Sequence, residues 1–309
     1  MKRTTLILLV CVMASCGPPD EETNVYRREG RFPGGLNVPV GLLAIEWAGK
    51  VRVLGSAWLI DGSNGALFSA KHVTDTSFNN RVTLGGRECK ILLNEKAYDC
   101  AIIRAHSMRD VVVLKTIGPF NTVGLPVPYK IAETKVQVGD KVFIQGFHPH
   151  PREVSEFNEK EGFGDLIVPI YKTFYGMRFG NECRESEIVF DNIEAKVTAV
   201  DHSVKLDNLE SDPSGELKYK INKYFSVTAS RNHKLSFAGT SGGVVVRIDQ
   251  NDEPEAVGII TAEKPVELQY DQSGHLISPC GIPLMTVDTI MVTPVESVMN
   301  LVEYAKRIP

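Results

Sequence analysis

The chain offers one serine whose surroundings suit nucleophilic chemistry. In Phe237-Ala238-Gly239-Thr240-Ser241-Gly242-Gly243-Val244-Val245-Val246, a hydroxyl sits among glycines and runs straight into a β-branched segment. Small residues beside a hydroxyl let backbone N–H groups approach a carbonyl oxygen, so Gly239 and Ser241 are the expected donors of an oxyanion hole. A serine hydroxyl is a weak nucleophile unless a base takes its proton and a third group orients the base. His72 stands at the end of Ala66-Leu67-Phe68-Ser69-Ala70, a short apolar strand. Asp99 directly precedes the apolar Cys100-Ala101-Ile102-Ile103. A carboxylate buried there without a partner is costly, and an imidazole donating to it removes that cost and fixes the ring in one tautomer. The expected set is therefore His72 as base, Asp99 as orienting acid and Ser241 as nucleophile. Asp75 and Asp110 are the other acids near the histidine strand in sequence.

The elements that must carry these residues read as strands. From Val38 onward β-branched and aromatic residues alternate, and Asp61-Gly62-Ser63-Asn64-Gly65 is dense in turn chemistry between two apolar runs. Gly55-Ser56-Ala57-Trp58-Leu59-Ile60, Ser69-Ala70-Lys71-His72-Val73, Asp99-Cys100-Ala101-Ile102-Ile103 and Gly239-Thr240-Ser241-Gly242-Gly243 follow one another in that order. Together they resemble the trypsin-like, chymotrypsin-fold serine peptidases, nearest the bacterial HtrA type but without a PDZ domain. The resemblance covers roughly Val38 to Ala305 and fits poorly in the middle. It departs at Lys71, where the family usually has alanine, and at Thr240, where it usually has aspartate or asparagine. What it implies is an all-β fold, a double antiparallel β-barrel with a C-terminal helix packed on the second barrel. It also implies a serine endopeptidase acting on protein or peptide substrates with no cofactor.

On this reading residues 37–128 form the first barrel and 129–309 the second, which opens with the strand Thr134 to Phe147. A charged insertion over about 148–223 is expected as elaborated loops at the rim of the site, with strand-like alternation over Glu194 to Val200 and Tyr224 to Thr228. The family resemblance places the substrate pocket floor at Leu235 and its wall at Thr261, Ala262 and Glu263. An apolar floor disfavours a buried Arg or Lys side chain, while Glu263 at the rim is a counter-charge for one. Thr293-Pro294-Val295-Glu296 reads as a capping box, and Val295, Val298, Met299 and Val302 share one helical face. His148-Pro149-His150 lacks a third metal ligand and reads as a solvated loop, and no metal is expected.

The N-terminus carries Lys2 and Arg3 before the apolar run Leu6 to Met13, a secretory signal over 1–15 too short to span a bilayer. Met13-Ala14-Ser15-Cys16 resembles a bacterial lipobox, which implies a lipidated Cys16 on a flexible tether over 16–36, anchoring the protein in the cell envelope. Gly17 rather than aspartate after the cysteine points to the outer membrane, and ordinary secretion is the alternative. Cys89, Cys100, Cys183 and Cys280 remain after processing and allow three connectivities, among them Cys89 facing Cys100 across neighbouring strands. A net charge of −4 gives no electrostatic reason to expect nucleic acid. Gly239-Thr240-Ser241-Gly242-Gly243 also matches the nucleophile elbow of α/β-hydrolases, but that fold needs a helix directly after the serine, and glycines followed by three valines favour a strand. The second functional reading is an inactive double barrel serving as a binding or adaptor lipoprotein.

Overall fold

A computed structural model describes residues 38–47, 50–74, 88–93, 96–107, 109–151, 166–167, 186–207, 219–230, 237, 239–268, 271–275 and 285–308. The signal, Cys16 and the tether lie outside the described residues. So do Leu235, Cys183, Cys280 and the side chain of Glu263. No helix among the described residues is long and apolar enough to cross a membrane.

Six strands close the first barrel: β1 (Val40–Trp47), β2 (Lys50–Asp61), β3 (Ala66–Ser69), β4 (Glu88–Leu93), β5 (Lys96–Ala105) and β6 (Val112–Ile117). Their order around the ring is β1-β2-β3-β6-β5-β4, and β1 pairing with β4 seals it. The β2–β3 turn forms where the sequence predicts it. Asp61 Oδ1 accepts the Ser63 N–H at 2.7 Å, Asn64 Oδ1 accepts the Ala66 N–H at 2.9 Å, and Gly65 takes φ 70°. Trp58 and Phe68 meet edge to face at 5.5 Å in the interior, both fully buried. Each aliphatic side chain buried to that degree contributes about 1.5–3 kcal/mol.

The second barrel comprises β8 (Lys141–Pro151), β10 (Ser186–Asp207), β11 (Tyr219–Ala229), β12 (Val244–Ile248), β13 (Pro254–Leu268) and β14 (Met285–Pro294). They run β11-β14-β13-β12-β8-β10, and β10 pairing with β11 closes the ring. Two short strands, β7 (Lys130–Ile131) and β9 (Leu166–Ile167), join its margins. The fold is the double antiparallel β-barrel of the chymotrypsin type. Closure removes the unpaired edges that an open sheet of this length would expose.

Several local expectations change. The second barrel's first ring strand starts at Lys141, because Asp140 closes a turn by accepting the Gln137 N–H at 2.9 Å. The 148–150 segment is not a loop: its backbone pairs with 187–189 as the end of β8. The insertion contributes strand as well as loop, since β10 and β11 pair from Ala195↔Ala229 out to Asp207↔Tyr219. Cys89 and Cys100 do face each other in the first barrel core, their sulfurs 3.3 Å apart and not joined in a disulfide.

The chain's last elements also depart from expectation. No capping box forms: the Thr293 hydroxyl pairs with that of Thr261 at 2.7 Å, and residues Val295–Val298 make a 3₁₀ turn before α1 (Met299–Arg307). Val295, Val298 and Val302 are buried, while Met299 is exposed and Leu301 and Ala305 complete the apolar face. That face packs into a shared cluster with Val40, Trp58, Ala66 and Phe68, so α1 covers the first barrel as well as the second. The side chain of Asn64 donates to the carbonyls of Ala305 at 2.8 Å and Ile308 at 3.0 Å. Those are carbonyls that a helix C-terminus leaves without intrahelical partners.

Candidate active site

His72 lies in a single helical turn, 71–74, that leaves the end of β3. The Thr74 hydroxyl donates to the Lys71 carbonyl at 2.8 Å and holds the turn, and Val73 is buried beneath it. The half-exposed imidazole is gripped from one side by Asp110. Oδ2 of Asp110 is 2.6 Å from His72 Nδ1, and Oδ1 accepts the His72 backbone N–H at 2.7 Å. Both oxygens of one carboxylate therefore engage one residue, which fixes the ring's position and puts its Nδ1 proton toward the acid.

Asp99, the expected partner, is not brought to His72. It sits within β5, where Lys90↔Asp99 are directly opposed in register, and its carboxylate pairs with the Lys90 ammonium at 2.8 Å on an exposed face. The cost of burying an unpaired acid never arises there, because the side chain is half solvated. Asp110 stands two residues before the apolar strand β6, and Ser69↔Val112 are paired across β3 and β6. Antiparallel register then carries the residues after Ser69 alongside those before Val112, bringing His72 to Asp110.

Around the acid the field is basic. His106 accepts the Arg109 N–H through Nδ1 at 3.0 Å, in the β5–β6 turn that also carries Asp110. Burial, with the charges of Arg109 and Lys71 nearby, holds His106 below the ordinary histidine range. One guanidinium nitrogen of Arg109 is buried with no partner among the described residues.

Ser241 comes from the second barrel, in a turn that precedes β12. The Ser241 carbonyl accepts the Ser56 N–H of β2 at 2.8 Å, so the backbone of Ser241 is tied to the first barrel. Gly55 is the meeting point: a Cβ there would stand 2.6 Å from the Ser241 carbonyl and 3.0 Å from a Val73 methyl. The Ser241 backbone and the histidine turn therefore both close on the space that a side chain at Gly55 would fill. Gly242 takes φ 83°, and a side chain on it would collide with the Ser56 carbonyl and the Ser69 hydroxyl. Thr240 turns inward, its hydroxyl donating to the Phe237 carbonyl at 2.6 Å. The turn is joined to β13 by Gly242 N–H to the Ile260 carbonyl and Ile260 N–H to the Gly243 carbonyl.

Two donors remain. Among the described residues, the N–H groups of Gly239 and Ser241 have no hydrogen-bond partner, and neither does the Ser241 hydroxyl. In unliganded sites the bond from nucleophile to base is often long and tightens when substrate binds. Of the wall residues, Thr261 is buried and bonds to Thr293 rather than facing outward, and Ala262 is half-buried. Among the described residues no cluster of His, Cys, Asp or Glu is arranged to hold a metal.

No family model and no curated protein matches the chain. Among solved structures it is similar to the Rv3671c protease of M. tuberculosis. The active form is 14% identical, with 86% of this chain and 80% of that chain covered and a TM-score of 0.45. An inactive form is 13% identical, with 87% and 89% covered and a TM-score of 0.42.

Proposed function

We propose that this protein is a serine endopeptidase with His72, Asp110 and Ser241 as its catalytic residues. The observation that carries the reading is the two-pronged grip of Asp110 on His72, in a turn held against the same glycine as Ser241. In the proposed reaction His72 Nε2 takes the Ser241 hydroxyl proton as the oxygen attacks a peptide carbonyl. The imidazolium then protonates the leaving amine, and water repeats the sequence on the acyl-enzyme. Asp110 keeps the Nδ1 proton in place and stabilises the imidazolium. The developing oxyanion takes the N–H groups of Gly239 and Ser241, which have no partner among the described residues, each contributing about 3 kcal/mol of transition-state stabilisation.

Substrate preference rests on the expected apolar pocket floor at Leu235, which favours small or medium apolar side chains before the cleaved bond, with Glu263 as the rival determinant. The anchor is proposed at Cys16, at the periplasmic face of the outer membrane. Mass spectrometry of the mature N-terminus tests it, and an unmodified N-terminus elsewhere refutes it. For the activity, a fluorophosphonate probe should label the wild-type protein and not Ser241→Ala, and a peptide library should be cleaved by the first alone. Absence of labelling in folded wild-type protein would refute the peptidase and leave the double barrel as a binding platform.

A further inference from the structure

A fully buried side chain outside the catalytic three bears on the oxyanion site. Ser56 lies on β2 of the first barrel with no exposed surface, yet the groups its hydroxyl meets all belong to the second barrel. Its hydroxyl oxygen accepts the Phe147 N–H of β8 at 2.8 Å. Its own proton has two carbonyls within reach, Phe147 at 3.4 Å and Gly239 at 3.5 Å. Its backbone N–H holds the Ser241 carbonyl, and its carbonyl receives the Ser69 hydroxyl at 2.8 Å. Gly146 presses on the same point, since a Cβ there would stand 3.2 Å from the Ser56 hydroxyl and 3.0 Å from the Thr240 Cβ.

Three consecutive peptide groups explain why this matters. The middle one, Gly239–Thr240, points its N–H at the Phe237 carbonyl, at 3.0 Å, and its C=O at Ser56. The next, Thr240–Ser241, gives its C=O to the Gly243 N–H at 2.8 Å. A trans peptide directs its N–H opposite its C=O, so this bond turns the Ser241 N–H the other way. The preceding peptide ends in the Gly239 N–H, which has no hydrogen-bond partner among the described residues. Displacing the middle peptide would shift the Cα atoms of Gly239 and Thr240, to which both flanking peptides are attached, and Ser56 is what meets it at its carbonyl end.

We propose that Ser56 is a positioning residue for the oxyanion site: its hydroxyl holds the Gly239 carbonyl and so aims the N–H groups of Gly239 and Ser241. The proposal rests on the peptidase reading. Ser56 touches no reacting atom.

The test compares Ser56→Ala with wild type and with Asn64→Ala, which removes part-buried hydrogen bonds at the far β2–β3 turn. Rates are taken per fluorophosphonate-labelled site on the best peptide from the library, so unfolded protein is not counted. Expected for Ser56→Ala is a kcat about tenfold lower with KM unchanged, short of the roughly 100- to 1,000-fold cost of deleting an oxyanion donor outright. Affinity for a peptide aldehyde, whose adduct bears the oxyanion, should fall by the same factor, and Asn64→Ala should change neither. If Ser56→Ala yields no folded protein, Ser56→Cys, close in size with a weaker donor, must show the same kcat-only loss. An unchanged kcat per labelled site in the folded variant overturns the proposal while leaving the peptidase intact. No labelling of wild type overturns the peptidase first.

Discussion

Replacing Asp110 by asparagine separates the two candidate acids. The side chain keeps its volume, but one of its two acceptor oxygens becomes an NH₂ donor. Asp110 now accepts from two N–H groups of His72, the backbone at 2.7 Å and the ring Nδ1 at 2.6 Å. An amide cannot satisfy both. If its oxygen stays on the backbone N–H, the NH₂ faces Nδ1 and makes it the acceptor, which moves the ring proton to Nε2. A histidine in that tautomer cannot take the Ser241 proton. If the amide is flipped, NH₂ and the backbone N–H oppose each other donor to donor. The first arrangement costs least and predicts a fall in kcat of about 10⁴, or about 5.4 kcal/mol in the barrier. Asp99→Asn removes only an exposed pair with Lys90, contributing roughly 0–1 kcal/mol to stability, and should leave kcat unchanged. The assay is peptide cleavage at saturating substrate, with circular dichroism confirming that both variants fold. An Asp110→Asn protein within tenfold of wild type, or an inactive but folded Asp99→Asn, would refute the reasoning.

Three further outcomes are expected. Asn64→Ala should cost about 1–2 kcal/mol in urea unfolding, since it strips the donor from the Ala305 and Ile308 carbonyls, without altering kcat. Gly242→Ala should abolish labelling, because its φ of 83° is unfavourable to a side chain and the added methyl meets the Ser56 carbonyl and Ser69 hydroxyl; normal labelling would contradict the packing described. His106, depressed in the folded state by burial and by Arg109 and Lys71, binds its proton less readily than in the unfolded chain. Its contribution to stability is therefore present above the unfolded value near 6.5 and lost as pH falls through the lower folded value. His106→Gln should flatten that part of the stability–pH curve measured by urea unfolding, and an unaltered curve would count against the assignment.

The two barrels, the serine turn and the histidine were legible because each has a local signature: alternation, turn residues, and glycines at positions that admit no side chain. The acid was not. Asp99 and Asp110 each stand directly before an apolar run, and nothing within either segment distinguishes them. The deciding fact is that β3 pairs with β6 in the register Ser69↔Val112, a tertiary relation. Ser56 was hidden for the same reason, since a serine in a β-strand looks ordinary until Phe147 and Gly239 arrive from the other barrel. The capping box misled because Thr293 had a better partner in Thr261, buried beside it.

The Ser56–Gly239 contact spans 183 positions of the chain, and the Asn64 bonds to the Ala305 and Ile308 carbonyls span 241 and 244. Most ladder pairs within each barrel join segments much nearer in sequence, such as Lys90↔Asp99. Closing a long loop costs entropy that is recovered only when the contact forms, so distant contacts come late in folding. Each barrel can close by itself while the cleft between them is still unmade. During refolding, far-ultraviolet ellipticity should therefore return before the capacity to react with fluorophosphonate. The interval between the two is the time the barrels take to dock, and an early intermediate rich in native strands is chemically silent.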